Sequence, residues 1–599
     1  MKLIITLLIA LLPLFAQAQQ SDTQLAYTYY QNKEYDKAAE LFLKLYERTR
    51  SSNFLDYHII SLINGQHYDK AEETLKKLIK ADDGNKEFLI NLGYVYLQQG
   101  KPKKADDSFQ KAIDKLAPSS TDIIRLAYRF RDIREYEWAV KTYEKGRILV
   151  KKPDAFISEL GDCYMMERNY EKMFDLFMQE LEKDPSSINN ITSKLSFARS
   201  YDIINSVDTV LDRKLAQIFK SPDYNPVFDE LAVWYDLQKK EFTSALKHAV
   251  RLNAKLPEKL YTFYSVAQNA ARSGQYTIAR QAYGKILEKG KEDNQYYSLA
   301  EKETLNCKFQ EYNQQKSKPE QYSALAAECA AYLQQNTYNN TNTDIAILLS
   351  DIYAYHLSLP DSANQVLQRA EKTRMINNNT LYTVKSKRAD LLTYMDNPWE
   401  ATILYTQIEK ANPNNDIGYE AKLKKARLAY YSGDILWAKA QFDVLKGATT
   451  KLISNDAIKM SHFINMNYEK DGDNSALEKL AATEYQIYKK QYQAALPVLD
   501  SLMGSNSSPE ITDYTALLKA KVLCEEFKYQ EAAEILEKLK NESEQVYIQA
   551  EAIYELAALK VKMNDKTQAL ALYKQLVSEY SGSVYSVEGG RLYRELEKN

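Results

Sequence analysis

The sequence predicts an all-α protein built from antiparallel helix pairs, and three observations support this fold class. Apolar residues recur at spacings of three and four along most of the chain, which is the period of one helix face. Paired segments of this kind return roughly every 34 residues. Glycine and proline are sparse, with 17 and 14 occurrences among 599 residues, which favours helices joined by short turns.

Residues 86–118 show the pattern most clearly. Two short predicted helices flank a tight turn at Gly100, and small residues at Gly93 and Ala105 would let the two helices approach closely. Phe109 would fill the space around that contact. The positions that define the unit are Leu92, Gly93, Tyr96, Gly100, Pro102, Ala105, Phe109, Ala112 and Pro118.

This unit resembles the tetratricopeptide repeat (TPR), and about twelve units of the kind follow one another along the chain. The rhythm is interrupted near residues 186–225, 290–340 and 447–475. The resemblance implies an all-α TPR α-solenoid, a right-handed superhelix of antiparallel helix pairs, in two or three segments. Each pair would bury its apolar face only against its neighbours, so no single large core is needed.

The interruptions and the composition suggest five regions. We expect a signal peptide over residues 1–18, an N-terminal TPR block over 19–185, an irregular helical joint over 186–225, a middle TPR-like block over 226–340, and a C-terminal TPR block with a capping helix over 341–599. A capping helix with a polar face would shield the end of the stacked array from water.

The first residues have the features of an export signal. Lys2 precedes an apolar run over residues 3–15, and Ala16 and Ala18 form a small-x-small cleavage site, so we expect cleavage after Ala18. A membrane anchor is the alternative, although the run is shorter than the ~20 apolar residues that a span needs. No lipid-anchor cysteine follows the run. We therefore expect a periplasmic protein without a transmembrane segment in the mature chain, with peripheral association with the outer membrane left open.

The net charge argues against one class of partner, and the cysteines leave one possible disulfide to consider. The formal net charge is −2, which argues against nucleic acid because that partner requires clustered excess Lys and Arg. Cys163 and Cys524 lie in predicted repeat helices and are interpreted as small apolar residues. Cys307 and Cys329 lie in neighbouring predicted helices, and whether they form a disulfide stays open.

The repeat register predicts an inner surface for partner binding on the first helix of each N-terminal pair. Tyrosine offers a large area with few rotors, and arginine offers a planar fork for carboxylates, and both are enriched at protein interfaces. An ordinary solvated face fits the same residues equally well. The predicted surface residues are Tyr27, Tyr30, Tyr57, Tyr94, Gln98, Arg125, Tyr128 and Arg131.

A second stretch, residues 420–431, combines basic and aromatic side chains, including Arg427, Tyr430 and Tyr431. Such a combination can mark a phosphate or nucleic-acid contact. Because the stretch lies on an ordinary repeat helix of an exported chain, it is interpreted here as a solvated helix face.

Catalytic and metal-binding patterns are weak, so we expect no enzyme activity, no metal and no cofactor. The histidines lack HExxH spacing and are not paired one helical turn apart; they are His58, His67, His248, His356 and His462. The signal peptide, the long array and the 47 tyrosines resemble periplasmic TPR proteins of Gram-negative bacteria, especially of the Bacteroidetes type. That resemblance implies a scaffold or adaptor that binds envelope proteins or peptides in assembly, secretion or cell-wall machinery.

Two alternatives remain open at this point. The first is a glycan-binding outer-membrane component of nutrient uptake, a class that also contains TPR-like helices. Such proteins usually carry a lipid-anchor cysteine and exposed tryptophans, whereas this chain has only four tryptophans. The second is an enzyme whose site lies in the irregular segment 186–225.

Overall fold

The computed structural model describes residues 22–315, 317–336, 338–447, 451–470, 472–504 and 508–598. Within these ranges every regular element is a helix, and the predicted all-α fold of antiparallel helix pairs is confirmed. The chain divides into two compact units, Met1–Ala270 and Ala271–Asn599. The predicted signal peptide lies outside the described residues.

The first unit is a succession of short helices of 10–15 residues. The described part of α1 covers residues 22–31. The others are α2 (Tyr35–Thr49), α3 (Ser52–Asn64), α4 (Tyr68–Ala81), α5 (Lys86–Gln98), α6 (Pro102–Asp114), α7 (Ser120–Asp132), α8 (Tyr136–Val150), α9 (Ile157–Met166), α10 (Tyr170–Lys183), α11 (Ile188–Tyr201), α12 (Ser206–Ile218), α13 (Val227–Lys239), α14 (Phe242–Lys255) and α15 (Tyr261–Arg272), within which the unit boundary falls.

The second unit contains longer helices, of up to 19 residues. They are α16 (Tyr276–Leu287), α17 (Tyr297–Gln315), α18 (Pro319–Gln335), α19 (Thr343–Tyr355), α20 (Pro360–Lys372), α21 (Asn378–Tyr394), α22 (Pro398–Ala411), α23 (Asp416–Tyr431), α24 (Ile435–Leu445), α25 (Lys451–Asn467), α26 (Ser475–Tyr488), α27 (Tyr492–Met503), α28 (Pro509–Glu525), α29 (Tyr529–Glu542), α30 (Val546–Lys562), α31 (Lys566–Glu579) and α32 (Val584–Lys598).

The pair α5 and α6 shows why small residues recur in the repeat. Ala105 is completely buried where the two helices meet. A Cβ atom added to Gly93 would lie 2.2 Å from Cε1 of Phe109, so only glycine allows this ring to pack flat on the helix backbone. A Cβ atom added to Gly161 in α9 would likewise lie 2.3 Å from Cε1 of Phe177. The predicted close approach of α5 and α6 is therefore confirmed, and α9 and α10 make the same glycine–phenylalanine contact.

The turn between α5 and α6 follows from two residues. Gly100 has φ +72°, a left-handed conformation that costs glycine little, and it follows directly on the last turn of α5. Pro102 occupies the first turn of α6, where its missing N–H would have no helical partner in any case. At the start of α5, the Asn85 side chain accepts a hydrogen bond from the Glu87 backbone N–H.

Two of the segments that break the repeat rhythm are nevertheless helical. Residues 186–225 contain α11 and α12, whose apolar faces join the core of the first unit through Leu195 and Leu211. In the second unit, the segment 447–475 contains α25, which packs against both α24 and α28. The finer block boundaries at residues 185, 225 and 340 stay predictions.

Membrane and redox features can be stated for the described part of the chain. None of its helices combines the length and apolar character needed to cross a bilayer. All four cysteines are free thiols, so Cys307 and Cys329 are not bridged in this structure. Burial raises the pKa of the Cys329 thiol to about 12, as expected for an inert core residue.

Candidate functional site

The first three predicted surface residues form one aromatic cluster at the start of the first unit. The rings of Tyr27 and Tyr30 both meet Tyr57 edge-on, at centroid distances of 4.9 and 5.3 Å. The Asn53 side-chain amide donates to the Tyr27 hydroxyl at 3.1 Å. All three tyrosines keep part of their surface exposed, so the cluster is a rigid, amphipathic patch rather than core.

Beside this cluster lies a polar network that sequence reasoning missed. Arg129 on α7 donates two hydrogen bonds to the Asp56 carboxylate on α3, at 2.9 and 2.7 Å. It also donates to the Asn91 side-chain oxygen on α5 at 3.2 Å, and Asn91 in turn donates to Asp56 at 3.1 Å. Although burial opposes its charge, hydrogen bonding and attraction to Asp56 raise the pKa of Arg129. One guanidinium thus joins the first helices of three successive pairs.

The repeat spacing could have indicated this network. Asp56 and Asn91 lie 35 residues apart, close to one repeat length, and therefore occupy equivalent positions on neighbouring helices. A polar residue that recurs at the repeat period on a half-buried face is a signal for a shared cation. Sequence reasoning selected the neighbouring tyrosines instead.

Arg125 is exposed, but its guanidinium is already paired with carboxylates. Its guanidinium lies 3.1 Å from a carboxylate oxygen of Asp122 and 3.6 Å from one of Glu87. The Arg125 side chain of both pairs faces solvent. In such pairs a competing carboxylate readily replaces the acidic partner.

The remaining predicted residues extend the surface along α5 and α7. Tyr94 is half-buried and packs against the core, whereas Gln98 is exposed. Tyr128 is 48% exposed, and the guanidinium of Arg131 lies 4.8 Å from the centre of its ring. The structure thus places the eight predicted residues on α1, α3, α5 and α7, the first helices of four successive pairs.

The interpretation of residues 420–431 as a solvated face is wrong. Tyr430 on α23 is completely buried. The three lysines of this stretch are ion-paired rather than free: Lys422 and Lys425 with Glu409, and Lys424 with Asp390. The sequence missed this because the partners come from neighbouring helices of the array.

The same stretch lines a polar chamber of about 300 Å³ in the second unit. Its central group is Glu484 on α26, which accepts hydrogen bonds from the hydroxyls of Tyr430 and Tyr514 at 3.2 and 3.3 Å. Burial raises the pKa of Glu484 to about 7, against the lowering effect of these hydroxyls and of nearby cations. A carboxyl group with such a pKa changes charge near neutral pH.

A second carboxylate, Glu551 on α30, lies in the wall of the chamber, and its pKa is shifted in the opposite direction. Lys459 from α25 and Lys521 from α28 both pair with it, the latter at 2.6 Å. Although burial opposes the charge, the two ammonium groups lower the pKa of Glu551 to about 2. Glu551 is therefore ionised, and it ties three helices together.

No cluster of three or more His, Cys, Asp or Glu side chains in the described residues is arranged to hold a metal ion. The absence of enzyme activity and of cofactors stays a prediction. What the geometry does define is a protein built from helix pairs, with a group of polar and aromatic side chains in each unit.

Comparison with known sequences supports the TPR resemblance. Residues 58–121 and residues 551–583 each match a sequence model described as tetratricopeptide repeat. These two stretches lie in the first and second units, so both units contain recognisable repeats.

The chain is also similar to the TPR repeat-containing protein MJ1428 of Methanocaldococcus jannaschii, with 24% identity over 188 residues. The match includes 30% of this chain, and it spans about a third, 33%, of the length of that relative. This similarity extends the TPR resemblance without assigning a partner.

Among solved structures, the chain is similar to a tetratricopeptide repeat protein from Parabacteroides merdae, at 17% identity and a TM-score of 0.22, covering 50% of this chain and 99% of that one. It is also similar to yeast Tom70, at 14% identity and a TM-score of 0.25, covering 97% and 96% of the two chains. At these TM-scores the likeness carries no conclusion about function, which depends on surface residues.

Proposed function

We propose that the protein is an exported, non-catalytic TPR scaffold that binds other proteins in the cell envelope. The observation that carries this proposal is a set of partly exposed tyrosines and arginines on the first helices of four successive pairs in the first unit. The repeat matches support it, because TPR arrays present such surfaces to protein partners. The export signal at residues 1–18 supports the envelope location.

The construction of this surface suits recognition. Tyr27, Tyr30 and Tyr57 hold each other edge-on, so little side-chain entropy remains to be lost when a partner binds. Arg129 donates to Asp56 and Asn91 and thereby links the helices beneath the surface. The surface is therefore preorganised, and its aromatic area supplies most of the contact.

The test replaces Tyr94, Tyr128 and Arg131 together by alanine. We expect this variant to lose most captured envelope proteins in crosslinking followed by mass spectrometry, because two aromatic contacts and one cation are removed. The matched control is Lys103→Ala with Lys111→Ala, which changes exposed residues on α6, the second helix of a pair. Thermal melting must show that both variants remain folded.

Recovery of the same proteins in equal amounts from the triple variant would rule out this surface. The same preparation reports the mature N-terminus, which we expect at Gln19. Micromolar binding of oligosaccharides in isothermal titration would instead favour the glycan-binding alternative.

A further inference from the structure

A groove of about 710 Å³ lies beside the chamber in the second unit. It is formed by α25, α30 and the residues that lead into α32, and its apolar walls are Ile458, Val546, Tyr547, Tyr580 and Tyr585. Groove and chamber share Asp456, Lys459, Glu551 and Tyr585, so the two cavities adjoin each other; together they are called the cleft.

The charges that line this cleft are unequal in number. The cations are Arg427, Lys459 and Lys521, and the carboxylates are Asp456, Glu484, Glu544, Glu551 and Glu579. Complete ionisation would therefore leave an excess of negative charge, which favours a basic ligand.

The three cations of the cleft are already in ion pairs, whereas three of its carboxylates are not, among the residues that the structure describes. Each cation already has an acidic partner: Arg427 lies 2.6 Å from Asp456, while Lys459 and Lys521 share Glu551. No ion pair within the described residues reaches Glu484, Glu544 or Glu579. An incoming cation thus finds carboxylates that are not part of an ion pair in this described region, whereas an incoming anion would have to break an existing pair.

The apolar wall offers surface for a second kind of contact. Ile458 is 45% exposed and Val546 is 66% exposed, both high for side chains of this type. Tyr547 also lines the groove, and its buried hydroxyl has no hydrogen-bond partner in the described part of the chain. A ligand with apolar side chains would cover Ile458 and Val546 and remove their surface from water.

We propose that this cleft binds a basic, amphipathic segment of a partner polypeptide, with apolar side chains against Ile458 and Val546 and a lysine or arginine side chain reaching Glu484. The proposal rests on the proposed scaffold function and adds to it the chemistry of one partner segment. It concerns a surface separate from the tyrosine-rich one in the first unit.

The electrostatics at Glu484 allow a cation to approach. Asp456 partly offsets the charge of Arg427, and Glu551 partly offsets that of Lys459, so the nearest cations oppose an incoming cation less than free ones would. The groups that face Glu484 are Arg427, Tyr430 and Tyr431 from α23, Lys459 from α25 and Tyr514 from α28. A bound ammonium would favour the ionised form of Glu484, so binding should release protons near neutral pH.

The test measures fluorescence anisotropy of a labelled nine-residue peptide of alternating leucine and lysine, acetylated and amidated so that its ends are uncharged. We expect the purified protein to bind it at least about tenfold more tightly than the same peptide with glutamate in place of lysine. The variant Glu484→Gln with Glu544→Gln should bind the lysine peptide about tenfold more weakly.

The matched control is Glu531→Gln with Glu534→Gln, two exposed carboxylates on the outer helix α29. It removes the same charge and should bind the peptide like the parent protein. Thermal melting checks that each variant is folded, and the single variant Glu544→Gln, at an exposed position, serves if the double variant unfolds.

The pH dependence separates Glu484 from the rest of the cleft. Affinity for the lysine peptide should rise by up to about tenfold between pH 6 and pH 8, as Glu484 ionises. A histidine, His462, also lines the groove, and Glu484→Gln distinguishes the two because it should remove most of the rise.

Equal binding by the parent and the Glu484→Gln, Glu544→Gln variant would overturn the proposal, as would equal weakening in the control. Equal binding of the glutamate peptide would do the same. Failure here is distinguishable from failure of the scaffold function, because loss of peptide binding should leave proteins captured through Tyr94, Tyr128 and Arg131 unaffected.

Discussion

Each unit joins three helices through one central charged side chain, and the sign of that charge differs between the two units. In the first unit, one cation, Arg129, collects Asp56 and Asn91 from two other helices. In the second unit, one anion, Glu551, collects Lys459 and Lys521. A repeat fold therefore specifies where a polar residue can reach its neighbours, but it does not specify the sign of the charge.

The reach of these contacts also differs. Arg129 and Asp56 are separated by 73 residues in the sequence. In the second unit, the Tyr488 hydroxyl donates to the backbone carbonyl of Asp390, 98 residues away. Long-range contacts therefore hold helices together in both units, and in the second unit they span more of the sequence. The proposed tyrosine-rich surface lies in the first unit and the proposed cleft in the second.

The largest expected effect comes from Ala105→Asp in the first unit. This change places a charge without a partner where α5 and α6 meet, so we expect a loss of several kcal/mol in the free energy of unfolding. Circular-dichroism melting measures it, with Lys103→Asp at an exposed position of α6 as the control. Unchanged melting of Ala105→Asp would contradict the assigned helix register.

Glu551→Gln should have the next largest effect, in the second unit. The pKa of Glu551 is lowered from 4.5 to about 2, so its ionisation contributes about 3 kcal/mol above pH 4.5. This contribution is lost as the pH falls from 4.5 toward 2.

Chemical denaturation of parent and variant over this pH range checks the prediction. The difference in unfolding free energy should be largest near pH 7 and should shrink below pH 4.5. A difference independent of pH would show that the two lysines do not stabilise the ionised form.

Gly93→Ala should have the smallest effect of the three. The added methyl group would meet the ring of Phe109 at 2.2 Å, so the pair must shift, at a cost of about 1–3 kcal/mol. The control is Gly284→Ala in α16 of the second unit, where an added Cβ has open space. That variant should be neutral or stabilised by up to about 1 kcal/mol, because alanine favours helix. Equal melting temperatures would show that Phe109 can move without cost.

Much of the fold could be predicted because repeat helices depend on local signals. The turn at Gly100, the proline at the start of α6 and the small residues Gly93 and Ala105 all act within one pair. The positions of the eight surface residues on first helices follow from the same register. Their role in binding stays a prediction.

The chamber could not be predicted for a physical reason. Its groups come from α23, α25, α26, α28, α30 and α32, and α25 lies in a segment without repeat residues. Residues 420–431 looked solvated because their partners, such as Glu409 for Lys425, are visible only once neighbouring helices are packed. The sequence shows how many charged residues there are. Which of them pair depends on distances that are set only when the helices pack.

By itself, the sequence determined that helices form in pairs and which small residues let two helices touch, since both depend on contacts within about 34 residues. Only the tertiary structure decided which charges are satisfied. Glu551 is held ionised by two lysines, while Glu484 has no ion-pair partner within the described residues. That outcome depends on helices distant in the sequence lying within a few ångströms of each other, where burial and pairing set the pKa of each group.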